Sequence, residues 1–273
     1  MQTTTQTTSS RALKSILMTL LLPLLALLVL HHSLPRQATA AATYPTVYPD
    51  EFGYGFNVAA WDVTKLQNMG FNWIKVFNAP GSRLPVNVLL RVQADSSHMN
   101  DLAGFGNTLR NLAQSQKGYV DAYEIGNEPN LDASYGWKTA PNAEDYATLL
   151  CAAYDNIKAA DPGAIVVSAG LAPTGRVQGE PGWPPGHNGR YQDEREFFKQ
   201  FLAAGGGHCL DAVGYHNYGF SADYDIVPDS IGDGWGAANY CGNGFCFRGV
   251  EKIYEMMVAE GLTDKQVWTT EFG

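Results

Sequence analysis

Two glutamates stand where chemistry is expected. Glu128 lies in YEIGNEPN (residues 123–130) and Glu271 in VWTTEFG (residues 267–273). Each closes a short β-rich run, and Pro129 prevents the first run from continuing as a ladder. A third segment, GYHNYG (residues 214–219), places His216 and Tyr218 on one face by the two-residue period of a strand. Two carboxyl groups brought together can divide acid and base work. One is held protonated to donate to a leaving group, and the other stays ionised to attack or to stabilise positive charge. Like charge at short range pushes their pKa values apart. A strand-terminal glutamate alone is as often a solvated rim residue; the pair, with His216 and Tyr218 beside it, carries the chemical reading. Glu124 shares the face of Glu128 by the same period and reads as a structural acid bonded to Lys75 or Arg91. The remaining histidines, His98, His187 and His208 among them, show no ligand spacing, and the reading needs no metal and no cofactor.

The elements that must position these residues alternate along the chain. Strand-like runs occupy 52–57, 72–77, 87–93, 119–126, 164–170, 210–216 and 266–271. Helical stripes lie between them. In 100–117 the residues Leu102, Phe105, Leu109 and Leu112 recur at steps of three and four. In 142–160 the stripe is Tyr146, Leu149, Leu150, Ala153, Tyr154 and Ile157, with Asn142 as N-cap and Asp161-Pro162-Gly163 as stop. Phe197, Phe198, Phe201 and Leu202 mark a third helix; Val250, Ile253, Tyr254, Met257 and Val258 mark a fourth, closed by Gly261. A short helix over 61–69 ends at Gly70. Strand–helix alternation implies parallel strands with right-handed crossovers. No glycine-rich phosphate loop follows the first strand, which weakens a nucleotide-binding sheet. The expectation is an α/β (β/α)8 barrel incomplete at its C-terminus, with seven of eight strands. The link between the second and third strands is too short for a full crossover helix. Long aromatic connections follow the strands: 131–141 with Trp137, 172–192 with Trp183, and 219–247 with Tyr224, Trp235 and Tyr240. In barrels that carboxyl face carries function.

The amino terminus reads differently. Arg11 and Lys14 precede an apolar run, residues 16–30, and Ala38-Thr39-Ala40 follows. A basic start, an apolar stretch of about 7–15 residues and a small-residue site describe a secretory signal. A membrane span needs about 20 apolar residues, and Pro23 interrupts this one. The organisation expected is a signal peptide at 1–40 with cleavage near Ala40, a linker at 41–50 and one barrel at 51–273. Localisation would be extracellular, without stable membrane association. Export makes the four cysteines readable as disulfides. The four allow three pairings; Cys241 and Cys246 bracket the glycine-containing CGNGFC, which suggests a local staple and would leave Cys151 for Cys209 if their geometry allows it.

Composition narrows the partners. The 273 residues are 45% hydrophobic and 12% aromatic, and their net charge is −9. That is far from a disordered chain and offers no basic surplus for nucleic acid.

Together, Asn127-Glu128-Pro129 after the fourth strand, His216-x-Tyr218 after the sixth and Thr270-Glu271-Phe272-Gly273 at the seventh resemble clan A glycoside hydrolases, family 39 and family 5 in type. The resemblance covers roughly residues 50–273. It implies a retaining mechanism on a β-linked carbohydrate, with Glu128 as acid/base and Glu271 as nucleophile, their carboxyl groups about 5–5.5 Å apart. It implies that Asn127 bonds the sugar 2-hydroxyl, that Tyr218 bonds the nucleophile and that His216 lines the same wall; Trp137, in the loop after Glu128, has two readings, stacking on a sugar face or packing. The sequence departs from the pattern where it stops before a strand-eight aromatic. It has no certain early-strand arginine, Arg91 being the candidate. A carbohydrate-binding protein without turnover is the alternative, on account of the eighth strand. A serine or cysteine hydrolase is disfavoured, because no G-x-S-x-G elbow occurs.

Overall fold

In a computed structural model, residues 53–220, 223–225 and 245–273 are described, all within one unit, Ala38–Gly273. The signal segment, the Cys241 half of the short staple and most of the loop 219–247, including Trp235 and Tyr240, lie outside the described residues.

Seven strands form one all-parallel sheet in sequence order: β1 (Gly55–Val58), β2 (Trp73–Val76), β3 (Asn87–Val92), β4 (Ala122–Ile125), β5 (Ile165–Ser168), β6 (Ala212–Asn217) and β7 (Gln266–Phe272). Helices α1 (Val63–Asn68), α2 (Leu102–Gln116), α3 (Ala143–Ala160), α4 (Glu194–Ala203) and α5 (Val250–Ala259) lie between strands. This is the nearly closed, incomplete (β/α)8 barrel that the alternation implies. The β2–β3 link carries no helix, as its length requires. Closure is visible across the two ends of the sheet. The Trp73 ring on β2 meets the Trp268 ring on β7 edge-on, with centroids 5.1 Å apart.

Strand alternation sorts the side chains into two cores. Outward residues such as Ile74, Val88, Leu90, Tyr123, Ile125 and Val166 pack beneath the helices with Leu109, Leu149, Ile157 and Phe201. Inward residues Trp73, Leu89, Ala122, Ile165, Val167 and Ala212 fill the barrel as an apolar floor. Further along the strands inward positions turn polar: Lys75, Arg91 and Glu124 one period on, and His216 two periods on along β6. The floor therefore supports a charged tier at the carboxyl ends.

Local signals act as expected. Asn142 caps α3 by accepting from the backbone N–H groups of Glu144 and Asp145, which satisfies donors the helix cannot pair. Cys151 on α3 is disulfide-bonded to Cys209, which precedes β6. No helix among the described residues is long and apolar enough to cross a membrane.

Candidate active site

The backbone is bent to deliver the first glutamate. Gly126 follows β4 with φ +94°, and Glu128 itself holds φ +44°. Glutamate in that region is strained by roughly 1–3 kcal/mol, and such strain persists only where surroundings enforce it. Here the Glu128 N–H donates to the Gly170 carbonyl at 3.0 Å, tying the end of β4 to the end of β5. Glu128 Oε1 then sits 2.8 Å from His216 Nδ1.

The second glutamate arrives by a different device. On β7, Trp268 faces the barrel floor, so plain alternation would turn Glu271 outward. The β6–β7 register slips instead. Tyr215 pairs with Thr269 and His216 with Glu271, leaving Thr270 as an extra residue. This irregularity re-aims Glu271 into the barrel mouth. Its Oε1 stands 3.1 Å from Lys75 Nζ and 3.8 Å from His216 Nε2; its Oε2 accepts from the Tyr218 hydroxyl at 3.0 Å. Asn57 Nδ2 lies at a long 3.5 Å.

The two carboxylates thus address opposite nitrogens of one fully buried imidazole. His216 fits only because residue 170 is glycine: a Cβ there would overlap the imidazole and crowd the Thr270 hydroxyl. Beneath this group Lys75 Nζ pairs with Glu124 Oε2 at 2.7 Å, both essentially buried, and reaches the Thr270 carbonyl at 3.4 Å. Of the two partners open to Glu124, the structure selects Lys75.

Burial pushes the Glu271 carboxyl up, but the pull of His216 and Lys75, with hydrogen bonds from Lys75 and Tyr218, outweighs it, so the group lies below the ordinary glutamate range. The Tyr218 hydroxyl is pushed up to about 12, first by burial and then by its bond to Glu271 and the charges of Glu271 and Glu128. It stays a proton donor.

Asn127 is 6% exposed, donates to the Tyr135 carbonyl at 3.2 Å and accepts from Arg91 Nη1 at 3.3 Å, so its amide is oriented on both sides. Glu128, Glu271, Asn127, His216 and Tyr218 therefore share one mouth. Of its two readings, stacking on a sugar and packing, Trp137 shows packing and does not join them. It is 1% exposed and packs edge-on against Tyr146, its backbone bonded to Leu131 and Ser96. The loop after β4 folds back and uses the indole as core. Lys75 is the residue that sequence reasoning placed only beside Glu124, although it also holds Glu271. Its signal was a lysine one period above Trp73 in an otherwise apolar strand. Among the described residues no group of three or more His, Cys, Asp or Glu side chains is arranged to hold a metal ion.

No protein-family model matches the chain, and no curated protein matches it. Solved structures do. A monomeric beta-xylosidase from Caulobacter crescentus CB15 superposes with a TM-score of 0.52 at 14% identity, over 86% of this chain and 54% of that one. An endo-1,4-beta-mannanase from Rhizomucor miehei gives a TM-score of 0.48 at 12% identity, over 86% and 82%. A glucosidase from Croceicoccus marinus gives 0.44 at 16%, over 77% and 36%. The chain spans about half the length of the xylosidase and about a third of the glucosidase. At these identities the likeness defines the fold: a parallel α/β barrel of the kind the xylosidase has.

Proposed function

We propose that this protein is a retaining glycoside hydrolase acting on a β-linked oligosaccharide or polysaccharide. The observation that carries the reading is the convergence of Glu128 and Glu271, from β4 and β7, on opposite nitrogens of His216. Glu271, kept ionised, attacks the anomeric carbon. Glu128 gives its proton to the departing glycosidic oxygen, then takes one from the water that releases the glycosyl-enzyme. His216, held under Gly170, fixes Glu128 in the direction of the leaving group, and Tyr218 keeps one Glu271 oxygen in place. Asn127 meets a sugar hydroxyl. The same fold in a xylosidase supports the carbohydrate class without naming the sugar. The leader-like residues 1–40 and the Cys151–Cys209 disulfide support export to an oxidising medium.

The test is a panel of activated aryl β-glycosides with wild type, Glu271→Gln and Glu128→Gln. Turnover should fall about 10⁴-fold or more on losing the nucleophile. It should fall about 10²–10⁴-fold on losing the acid/base, least for good leaving groups. A 2-deoxy-2-fluoro glycoside should leave its sugar on Glu271 by peptide mass. Inversion at the anomeric centre would overturn the retaining assignment. Sugar binding without turnover on any substrate would favour a binding protein of the same fold.

A further inference from the structure

The turn that follows Glu128 is braced on both sides of one exposed ring. Trp137 is in the core, and its backbone bonds to Leu131 and Ser96. Lys138 reaches Asp95, a fully buried carboxylate after β3, at 2.9 Å. Gly136 lies against main chain: a Cβ there would stand 2.7 Å from the Leu131 carbonyl oxygen and 2.8 Å from that of Glu128. The Tyr135 carbonyl accepts from Asn127 Nδ2 at 3.2 Å. Yet the Tyr135 side chain is not drawn into the core, and the residue is 55% exposed. An aromatic ring offers a large apolar face, and one carried on a braced turn loses little freedom on meeting a ligand.

The place of the turn identifies the ligand. Asn127 directs Oδ1 to Arg91 on β3 and Nδ2 to Tyr135 on the loop after Glu128. Nδ2 carries two hydrogens; the Tyr135 carbonyl takes one and leaves the other for the sugar 2-hydroxyl. That hydroxyl and the glycosidic oxygen sit on adjacent ring carbons. An amide on the first therefore stands close to the second, to which Glu128 delivers its proton. The Tyr135 turn packs against the residues that address both oxygens. Glu271 is held instead from β1, β2 and the end of β6, by Asn57, Lys75 and Tyr218. What lies beyond the glycosidic oxygen is the departing sugar. We infer that Tyr135 forms the subsite for that sugar, its ring lying against the sugar's apolar C–H face. The preferred leaving group is then itself a sugar rather than a small alcohol. This rests on the glycosidase reading of the same mouth and adds a leaving-group subsite to it.

The experiment uses the full chain and three kinds of substrate in the xylose, glucose and mannose series. The β-glycosyl fluoride has a single atom as leaving group. The β-1,4-linked disaccharyl fluoride adds a sugar only on the retained side. The β-1,4-linked trisaccharide has sugar on both sides of a scissile bond. In the series that turns over, Tyr135→Ala should lower kcat/KM for the trisaccharide relative to the disaccharyl fluoride by about 10–100-fold, the loss of a covered aromatic face. Tyr135→Phe should keep that ratio within about threefold, since the face remains. A ratio that Tyr135→Ala leaves unchanged would overturn the assignment, even where overall activity falls. A ratio that both variants lose alike would assign a hydroxyl contact and overturn the stacking. A loss seen instead between the disaccharyl and monosaccharyl fluorides would put Tyr135 on the retained side and overturn this placement. Trisaccharide binding to wild type and Tyr135→Ala is measured in parallel by calorimetry. Tyr135-dependent binding with no turnover in any series would sink the glycosidase reading and keep Tyr135 as a sugar platform. Binding indifferent to Tyr135, or no binding and no turnover, would sink the platform.

Discussion

Two buried lysine–carboxylate pairs, each 2.7 Å long, behave in opposite ways. Lys158–Asp211 lies at the amino ends of the strands. There Lys158 Nζ also donates to the Ala164 carbonyl at 2.7 Å, and Asp211 Oδ2 accepts from the Val166 N–H at 2.7 Å. The pair joins the end of α3, the start of β5 and the start of β6, and each partner reaches a backbone group as well. Lys75–Glu124 lies at the carboxyl ends and also touches backbone, at longer range: Lys75 Nζ at the Thr270 carbonyl, 3.4 Å, and Glu124 Oε1 at the Gly170 N–H, 3.3 Å. It is not closed on itself. Lys75 is shared with Glu271, and the nearby His216 Nε2 and Thr270 Oγ1 are buried without a hydrogen-bond partner. Native interiors rarely leave such atoms unpaired. The saturated pair serves the fold, whereas the open pair lends its charge to Glu271.

Replacing each lysine should break that comparison most sharply. Lys158→Met leaves Asp211 uncompensated and should cost about 3–5 kcal/mol of stability, with turnover per folded molecule unchanged. Lys75→Met should also lower stability, but its distinguishing effect is on turnover. The acidic limb of kcat/KM should move to higher pH as Glu271 loses an attraction that holds its carboxyl low. An unmoved limb would mean that Lys75 is merely another structural cation.

Next in size is the disulfide, on the structural side of the molecule. Cys151 and Cys209 close a 58-residue separation. Their double replacement by serine should cost about 2–4 kcal/mol, mainly through a freer unfolded chain. Denaturant midpoints should fall while the kcat of folded protein holds.

On the other side, Gly170→Ala should cost about 1–3 kcal/mol by overpacking, yet remove most activity, because the new methyl group displaces His216. Activity that survives with only a stability loss would detach His216 from the proposed chemistry.

The smallest expected effect concerns pH. Glu194, buried at the start of α4, is raised to about 7 by burial and by Asp193, against the attraction of Arg195 and the Thr174 N–H bond. A raised acid favours the folded state fully below its ordinary value of 4.5, and that contribution is lost as pH climbs through about 7. Glu194→Gln should flatten the decline in urea midpoint across that window. Glu271 has the opposite sign: its contribution is present above 4.5 and is lost as pH falls through its depressed folded value.

Much of the fold was legible because its signals are local. Asn142 caps α3 where the sequence places it, and the helical stripe of α3 contributes Tyr146, Leu149, Leu150 and Ile157 to the core beneath the sheet. The disulfide Cys151–Cys209 matches the expected pairing. The placement of the candidate residues by ordinal strand position was legible too: Glu128, His216 and Glu271 lie at the ends of β4, β6 and β7. Trp137 was open to both readings because an aromatic in such a loop looks the same in sequence whether it faces sugar or core. The fold-back of 131–137 decides, through the Trp137 N–H bond to the Leu131 carbonyl.

By itself, the sequence determined the alternation, the helix boundaries and which residue types arrive at the strand ends, since periodicity and caps act within a few residues. Only the tertiary structure decided that Glu271 faces inward, since that depends on a register slip between strands more than 40 residues apart. It also decided which acid Lys75 takes, because the strands must curl before those charges can choose among one another.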